Sequence, residues 1–168
     1  GDCYGKATGN ADDGENWEGA RDWSHDLPKV QEMFKAYLQW MRAEIGYDGW
    51  RYDKGDGFNN WHMWNYNQAS QPEIAFMECW KGNNEIKHHI DEAKKDVMAF
   101  DFQNMYYVFN DGISKGNFGN CGINGKTDWG DAVGLVQSGY QRNAVTFIEN
   151  HDMFMRNDQE FGGNGNSM

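Results

Sequence analysis

The sequence predicts an α/β fold assembled from parallel β-α-β units. Short apolar stretches rich in aromatic residues alternate with longer charged stretches of helical period, the pattern of strands separated by crossover helices. The 168 residues fall within the ~100–200 of one domain. Hydrophobic residues make up 39% and charged ones 24%, enough apolar content to bury a core and too little charge for a disordered chain. No apolar run approaches the ~18 residues that cross a bilayer, so no membrane span is expected. A net charge of -11 with a sequence pI near 4.7 leaves nothing to neutralise a polyanion, and nucleic acid is excluded as a partner.

Residues 1–26 are polar, rich in Gly, Asp and Asn, and without sustained period, so they read as an irregular loop region. From Leu27 to Ile45 the residues Val30, Phe34, Tyr37, Leu38, Met41 and Ile45 step by three or four, which predicts one amphipathic helix. Asp26 is its expected N-cap, Pro28 fits the first turn, and Gly46 is the expected left-handed stop. Gly49–Asp53 then reads as a strand, and Ile74–Trp80 as a second. A charged helical run follows over Glu85–Val97, then a strand over Met98–Phe102 and an amphipathic stretch over Asn104–Ile113. A glycine-rich loop covers 114–130, a short helix 131–138, and Ala144–Glu149 makes the last strand. The tail after Phe161 reads as loop. The chain opens on Gly1 with no targeting segment, which suggests a processed start or an internal piece of something longer.

Parallel α/β architectures bind ligands at the carboxyl ends of their strands. Here those ends are Arg51-Tyr-Asp53, Glu78-Cys-Trp80, Asp101 and Asn150-His-Asp152. A single carboxylate at a strand end is most simply a surface group. Its recurrence beside an aromatic, an Arg or a His suggests acid/base chemistry, in which Arg51 holds one carboxylate ionised while a neighbour keeps its proton. Trp50, Trp61, Trp64 and Trp80 could stack on sugar rings, with core packing the alternative for each. Cys3, Cys79 and Cys121 lack any CxxC spacing, so no zinc site is expected. The acidic loop at Asp12-Asp13-Gly14 fails the EF-hand spacing, because Ala20 stands where a bidentate carboxylate is needed, but an irregular calcium site remains open. His88 and His89 lie in a charged run and are expected on a solvated face.

The residues at three of these strand ends resemble a known family. Gly46-Tyr-Asp-Gly-Trp-Arg-Tyr-Asp53 is similar to the second signature motif of the α-amylase family of glycoside hydrolases. Phe76-Met-Glu78 resembles the third motif, and Phe147-Ile-Glu-Asn-His-Asp152 the fourth, in the same order; Ala99-Phe-Asp-Phe102 resembles the strand between them. The resemblance covers nearly the whole chain. It implies a partial (β/α)8 TIM barrel over residues 27–168, roughly strands four to seven, preceded over 1–26 by the end of an inserted loop domain.

By the same resemblance Asp53 is the nucleophile, Glu78 the general acid/base and Asp152 the transition-state stabiliser of a retaining glycosidase. Arg51, His151, Trp50 and Trp80 would serve the α-glucan substrate. Calcium is the implied cofactor, with Asp22 and the Gly57 carbonyl as expected ligands and Asp12 and Asp13 as further candidates. The chain departs from the family at Lys54-Gly-Asp-Gly57, where Ala-Val-Lys-His is common, and at Glu149, where Asp is usual. The family's first motif is missing. The implied function is cleavage of internal α-1,4-glucosidic bonds in starch-like glucans. A transglycosylase of the same family and a non-catalytic α-glucan-binding protein are the alternatives. A secreted or cell-envelope location is favoured, and oligomeric state is not read from the sequence.

Overall fold

The computed structural model describes residues 14–15, 23–122 and 132–152. The chain divides into two compact units, Gly1–Glu78 with His89–Val97, and Cys79–His88 with Met98–Met168.

In the first unit, helix α1 spans Pro28–Trp40 with its proline in the first turn, as the sequence predicts. Its N-cap is Leu27, extended and without a side-chain hydrogen bond, so Asp26 is not the cap. The Asp26 carboxylate is instead drawn to the His62 Nε2, 3.3 Å away. The predicted single helix to Ile45 changes character at Met41, where the last turn, Met41–Ile45, widens to π-helical geometry. Gly46 stops it at φ 86°, a left-handed conformation that glycine adopts without strain.

Strand β1, Gly49–Tyr52, pairs in parallel with β2, Ile74–Met77, with Trp50 opposite Ala75 and Arg51 opposite Phe76. Between them lies α2, Trp61–Ser70, a helix that the sequence reading left out. It packs beside α1, where Phe34 stacks on Tyr66 with ring centroids 5.5 Å apart. Met63, Tyr66, Met77, Ile90 and Ala93 are fully buried in this unit.

Helix α3, Asn83–Glu92, begins and ends earlier than the predicted 85–97. Lys94 and Lys95 take positive φ of 52° and 60°, which no helix continues through, and they set its end. The Lys94 ammonium then lies 3.2 Å from the centre of the Trp64 ring.

In the second unit β3, Met98–Phe100, pairs in parallel with β4, Ala144–Val145. Helix α4, Phe102–Asn104, continues into a wide π-type segment over Met105–Ser114. Phe100, Phe102 and Phe147 meet edge to face at 5.1–5.9 Å. The predicted helix 131–138 is not formed by its described residues: from 132 on they make a bridge and turns, with the Leu135 carbonyl accepting from both Ser138 and Tyr140. All four predicted strands are present but shorter, ending at Tyr52, Met77, Phe100 and Val145. The α/β class holds, and parallel pairing with intervening helices is compatible with part of a (β/α)8 barrel. Most of the expected loop region 1–26 and the whole tail after Phe161 lie outside the described residues.

Candidate functional site

The ends of β1 and β2 bring two of the predicted carboxylates onto one arginine. Arg51 reaches Asp53 Oδ1 through Nη1 at 2.9 Å and Glu78 Oε2 through Nη2 at 2.8 Å. Parallel pairing explains the meeting: with Tyr52 opposite Met77, the next residues of each strand leave the sheet at the same level. The two acids differ in surroundings, since the Asp53 side chain is 78% exposed and that of Glu78 only 9%. One positive charge between two carboxylates also offsets their mutual repulsion.

Glu78 is anchored through its backbone as well. Its N–H donates to the Tyr52 carbonyl at 2.9 Å, and its own carbonyl accepts from the Gly55 N–H at 2.6 Å. The Lys54 N–H reaches its Oε2 at 3.3 Å. This turn is constrained: Lys54 sits at φ 47°, a left-handed conformation strained for a side-chain-bearing residue. A Cβ on Gly55 would lie 2.7 Å from Met77 Cβ and 3.0 Å from the Glu78 carbonyl oxygen, so glycine is required there. The Lys54 ammonium pairs with Glu15 and with Asp56, the latter at 2.8 Å on a buried carboxylate.

Asp101, the third strand-end carboxylate, has a different place. It is fully buried, accepts from the Asn104 N–H at 3.1 Å as the N-cap of α4, and accepts from the Val136 N–H at 3.2 Å. Burial pushes its carboxyl above the usual range, against the lowering effect of backbone hydrogen bonds. It braces the second unit and is not available to a ligand. Asp152 lies close to His151, Oδ2 to Nε2 3.4 Å, and its N–H donates to Asn150 Oδ1 at 3.1 Å; His151 is largely exposed.

Of the predicted sugar-stacking residues, Trp50 is 8% exposed in β1, which gives it to the core and not to a ligand. Trp80 is half-buried and lies against Phe102 at 4.1 Å. With Lys81, Glu85, Gln103, Tyr106 and others it lines a cavity of about 410 Å³ in the second unit, a mix of aromatic and polar groups.

Three of the four predicted calcium ligands, Asp12, Asp13 and Asp22, lie outside the described residues. The Gly57 carbonyl packs closely over Gly14. Among the described residues no three His, Cys, Asp or Glu side chains come together as a metal site, and Gly57 alone makes none.

Two histidine groupings escaped the sequence reading. His25 is buried, stacked on Phe58 at 4.2 Å and bonded through Nδ1 to the Tyr66 hydroxyl at 2.6 Å. Burial is the main reason its pKa is lowered from 6.5 to about 4, with His62 adding to the effect and Asp26 opposing it. His89, expected on a solvated face beside His88, is half-buried and meets Asn60 Oδ1 through Nδ1 at 2.5 Å. Asn60 is fully buried and donates through Nδ2 to the Gly55 carbonyl at 2.5 Å.

No family model matches the sequence. A search of curated proteins finds "Alpha-amylase 3, chloroplastic" of Arabidopsis thaliana, 31% identical over 167 residues, covering 90% of this chain and 18% of that protein. It also finds "Probable alpha-amylase 2" of the same plant, 25% identical over 165 residues, covering 89% of this chain and 38% of that protein. The chain is similar to α-amylases along about nine-tenths of its length. It spans well under half the length of either curated relative. "Chloroplastic" is part of one relative's name and lends the secreted or cell-envelope expectation no support. Among the described residues no helix is long and apolar enough to cross a membrane.

Proposed function

We propose that this chain carries the catalytic carboxylates of a retaining α-glucan hydrolase acting on internal α-1,4 bonds of starch-like glucans. The observation that carries the reading is the Arg51 fork, which holds Asp53 and Glu78 on adjacent nitrogens of one guanidinium. A retaining mechanism needs its two carboxyl groups ~5–5.5 Å apart, so that one can attack the anomeric carbon directly. Suspension on a single guanidinium is compatible with that spacing.

In this reading exposed Asp53 is the nucleophile. It attacks the anomeric carbon while Glu78, in its drier setting, gives a proton to the departing glycosidic oxygen. A covalent glycosyl ester on Asp53 results. Glu78, now a carboxylate, takes a proton from water, whose oxygen attacks the same carbon and frees Asp53. Arg51 favours the charged form of any carboxylate it touches. Protonation of Glu78 therefore weakens its contact with Arg51 and leaves the guanidinium to Asp53, the group that must be ionised to attack. Asp152 is assigned to transition-state stabilisation, and His151 to sugar hydroxyls, on the resemblance of their motif. Trp80 and its cavity offer an aromatic face and polar partners to glucosyl units. Calcium belongs to this reading only through the family, and no step uses it.

The test is product analysis of the full-length protein on soluble starch. Hydrolysis should release reducing ends with the α-anomer formed first, and Asp53→Asn should abolish it while glucan binding persists. Transfer products without a net gain of reducing ends would move the protein to the transglycosylases. Glucan binding without turnover in the unaltered protein would make it a binding protein.

A further inference from the structure

We infer that Asn60 and His89 form a positioning relay that fixes Glu78 through the Lys54–Gly55 turn, resting on the assignment of Glu78 as acid/base above. The connection is continuous within the first unit. His89 meets Asn60 Oδ1 at 2.5 Å, and Asn60 Nδ2 donates to the Gly55 carbonyl at 2.5 Å. The Gly55 N–H donates to the Glu78 carbonyl at 2.6 Å, and the preceding amide, Lys54 N–H, reaches the Glu78 carboxylate at 3.3 Å. Two successive amides of one turn therefore hold both ends of Glu78, and Asn60 holds the peptide bond on the far side of Gly55.

A fully buried asparagine needs partners for its amide, and satisfying it is a sufficient reason for His89 to be there if the pair is only structural. The target of Asn60 argues for more. Besides weak contacts with the Met63 and Met77 sulfurs, its amide nitrogen donates to the carbonyl of Gly55, the residue wedged against Met77 and Glu78 in a turn whose neighbour Lys54 is held left-handed at φ 47°. Strain of this kind persists only where surrounding contacts over-determine it. Asn60 supplies such a contact through the Gly55 carbonyl, while the Lys54 side chain supplies others through its pairs with exposed Glu15 and buried Asp56. His89 fixes which way the Asn60 amide faces, since its ring nitrogen occupies the oxygen and leaves the nitrogen for Gly55. The Glu92 carboxylate lies 3.6 Å from the same Nδ1, beyond hydrogen-bond distance, so Asn60 is the close partner of that nitrogen.

The experiment uses the full-length protein with His89→Leu, which removes the ring nitrogen, and His89→Asn, whose amide can replace it. Two readouts are taken: kinetics on soluble starch, and the side-chain carboxyl ¹³C resonance of Glu78 at fixed pH, assigned by its loss in Glu78→Gln. His89→Leu should lower kcat about 10-fold with KM little changed, as expected when a reacting group is displaced slightly. It should also move the Glu78 resonance, and His89→Asn should restore both. An unmoved resonance with unchanged kcat in His89→Leu overturns the inference, as does failure of His89→Asn to restore either. Should His89→Leu not fold, His89→Ala is read in the same way. If the resonance moves and is restored while the unaltered protein releases no reducing ends, the hydrolase reading falls and the relay to Glu78 stands.

Discussion

Arg51 can serve two acids at once because a guanidinium is planar and presents its terminal nitrogens as a fork. Lysine keeps the charge but offers a single point. Arg51→Lys should therefore leave one carboxylate uncontacted and reduce turnover on starch by about 10-fold or more, measured as kcat with the fold checked by circular dichroism. Little change in kcat would show that the fork is dispensable. His25 makes the other residue-level prediction. In the folded protein its pKa is about 4, against 6.5 for the free group. Between those values the unfolded chain binds a proton that the folded one refuses, so this contribution to stability is full above pH 6.5 and fades as pH falls toward 4. At ~1.4 kcal/mol per unit the loss is roughly 3 kcal/mol. Urea midpoints taken across this range should fall with pH in the unaltered protein and fall less steeply in His25→Gln. Equal slopes would mean that another group governs the acid limb.

The junction of β3 with α4 depends on Asp101, whose carboxylate ties the first turn of α4 to the peptide of Val136. Asp101→Ala should cost about 1–3 kcal/mol, seen in denaturant unfolding, because the buried Asn104 amide and the part-buried Val136 amide lose their acceptor. Turnover per folded molecule should remain; its loss would give Asp101 a part in catalysis. Strand-end position alone does not separate this carboxylate from Asp53 and Glu78, since all three follow short apolar strands; the motif resemblance does, by giving Asp101 no role. Helix α1, its left-handed stop at Gly46 and the order of strands were legible because periodicity and end signals agreed there. Helix α2 was not: Trp61-His-Met-Trp-Asn-Tyr-Asn-Gln-Ala-Ser70 has no apolar face, and contacts such as Phe34 on Tyr66 hold it. The end of α3 was missed because nothing in a lysine pair announces positive φ. The Arg51 fork was partly legible, because Arg51 and Asp53 share one motif, though its hold on Glu78 was not read. The pairing of Asn60 with His89 was not legible at all, since the partners are 29 residues apart and His89 sits in a run that reads as solvated.

At the scale of the whole molecule, the net charge of -11 has two uses. It favours solubility, and it lowers the cost of binding a divalent cation. Calcium held by Asp12, Asp13, Asp22 and the Gly57 carbonyl is proposed on the family resemblance. If that set binds, a chelator should lower the melting temperature of the full-length protein by several degrees and added calcium should restore it. An unmoved melting temperature removes calcium from the reading. The π-helical turn at Met41–Ile45 bears on how this molecule could change in length. Such a turn holds one residue more than an α-turn closing over the same rise. Removing one residue between Met41 and Ile45 could close it into ordinary helix ahead of Gly46. Without that slack, each inserted or deleted residue would turn α1 by about 100° relative to β1. The segment is thus a place where the chain can lose a residue upstream of Arg51 while the strand register that sets Asp53 beside Glu78 is kept.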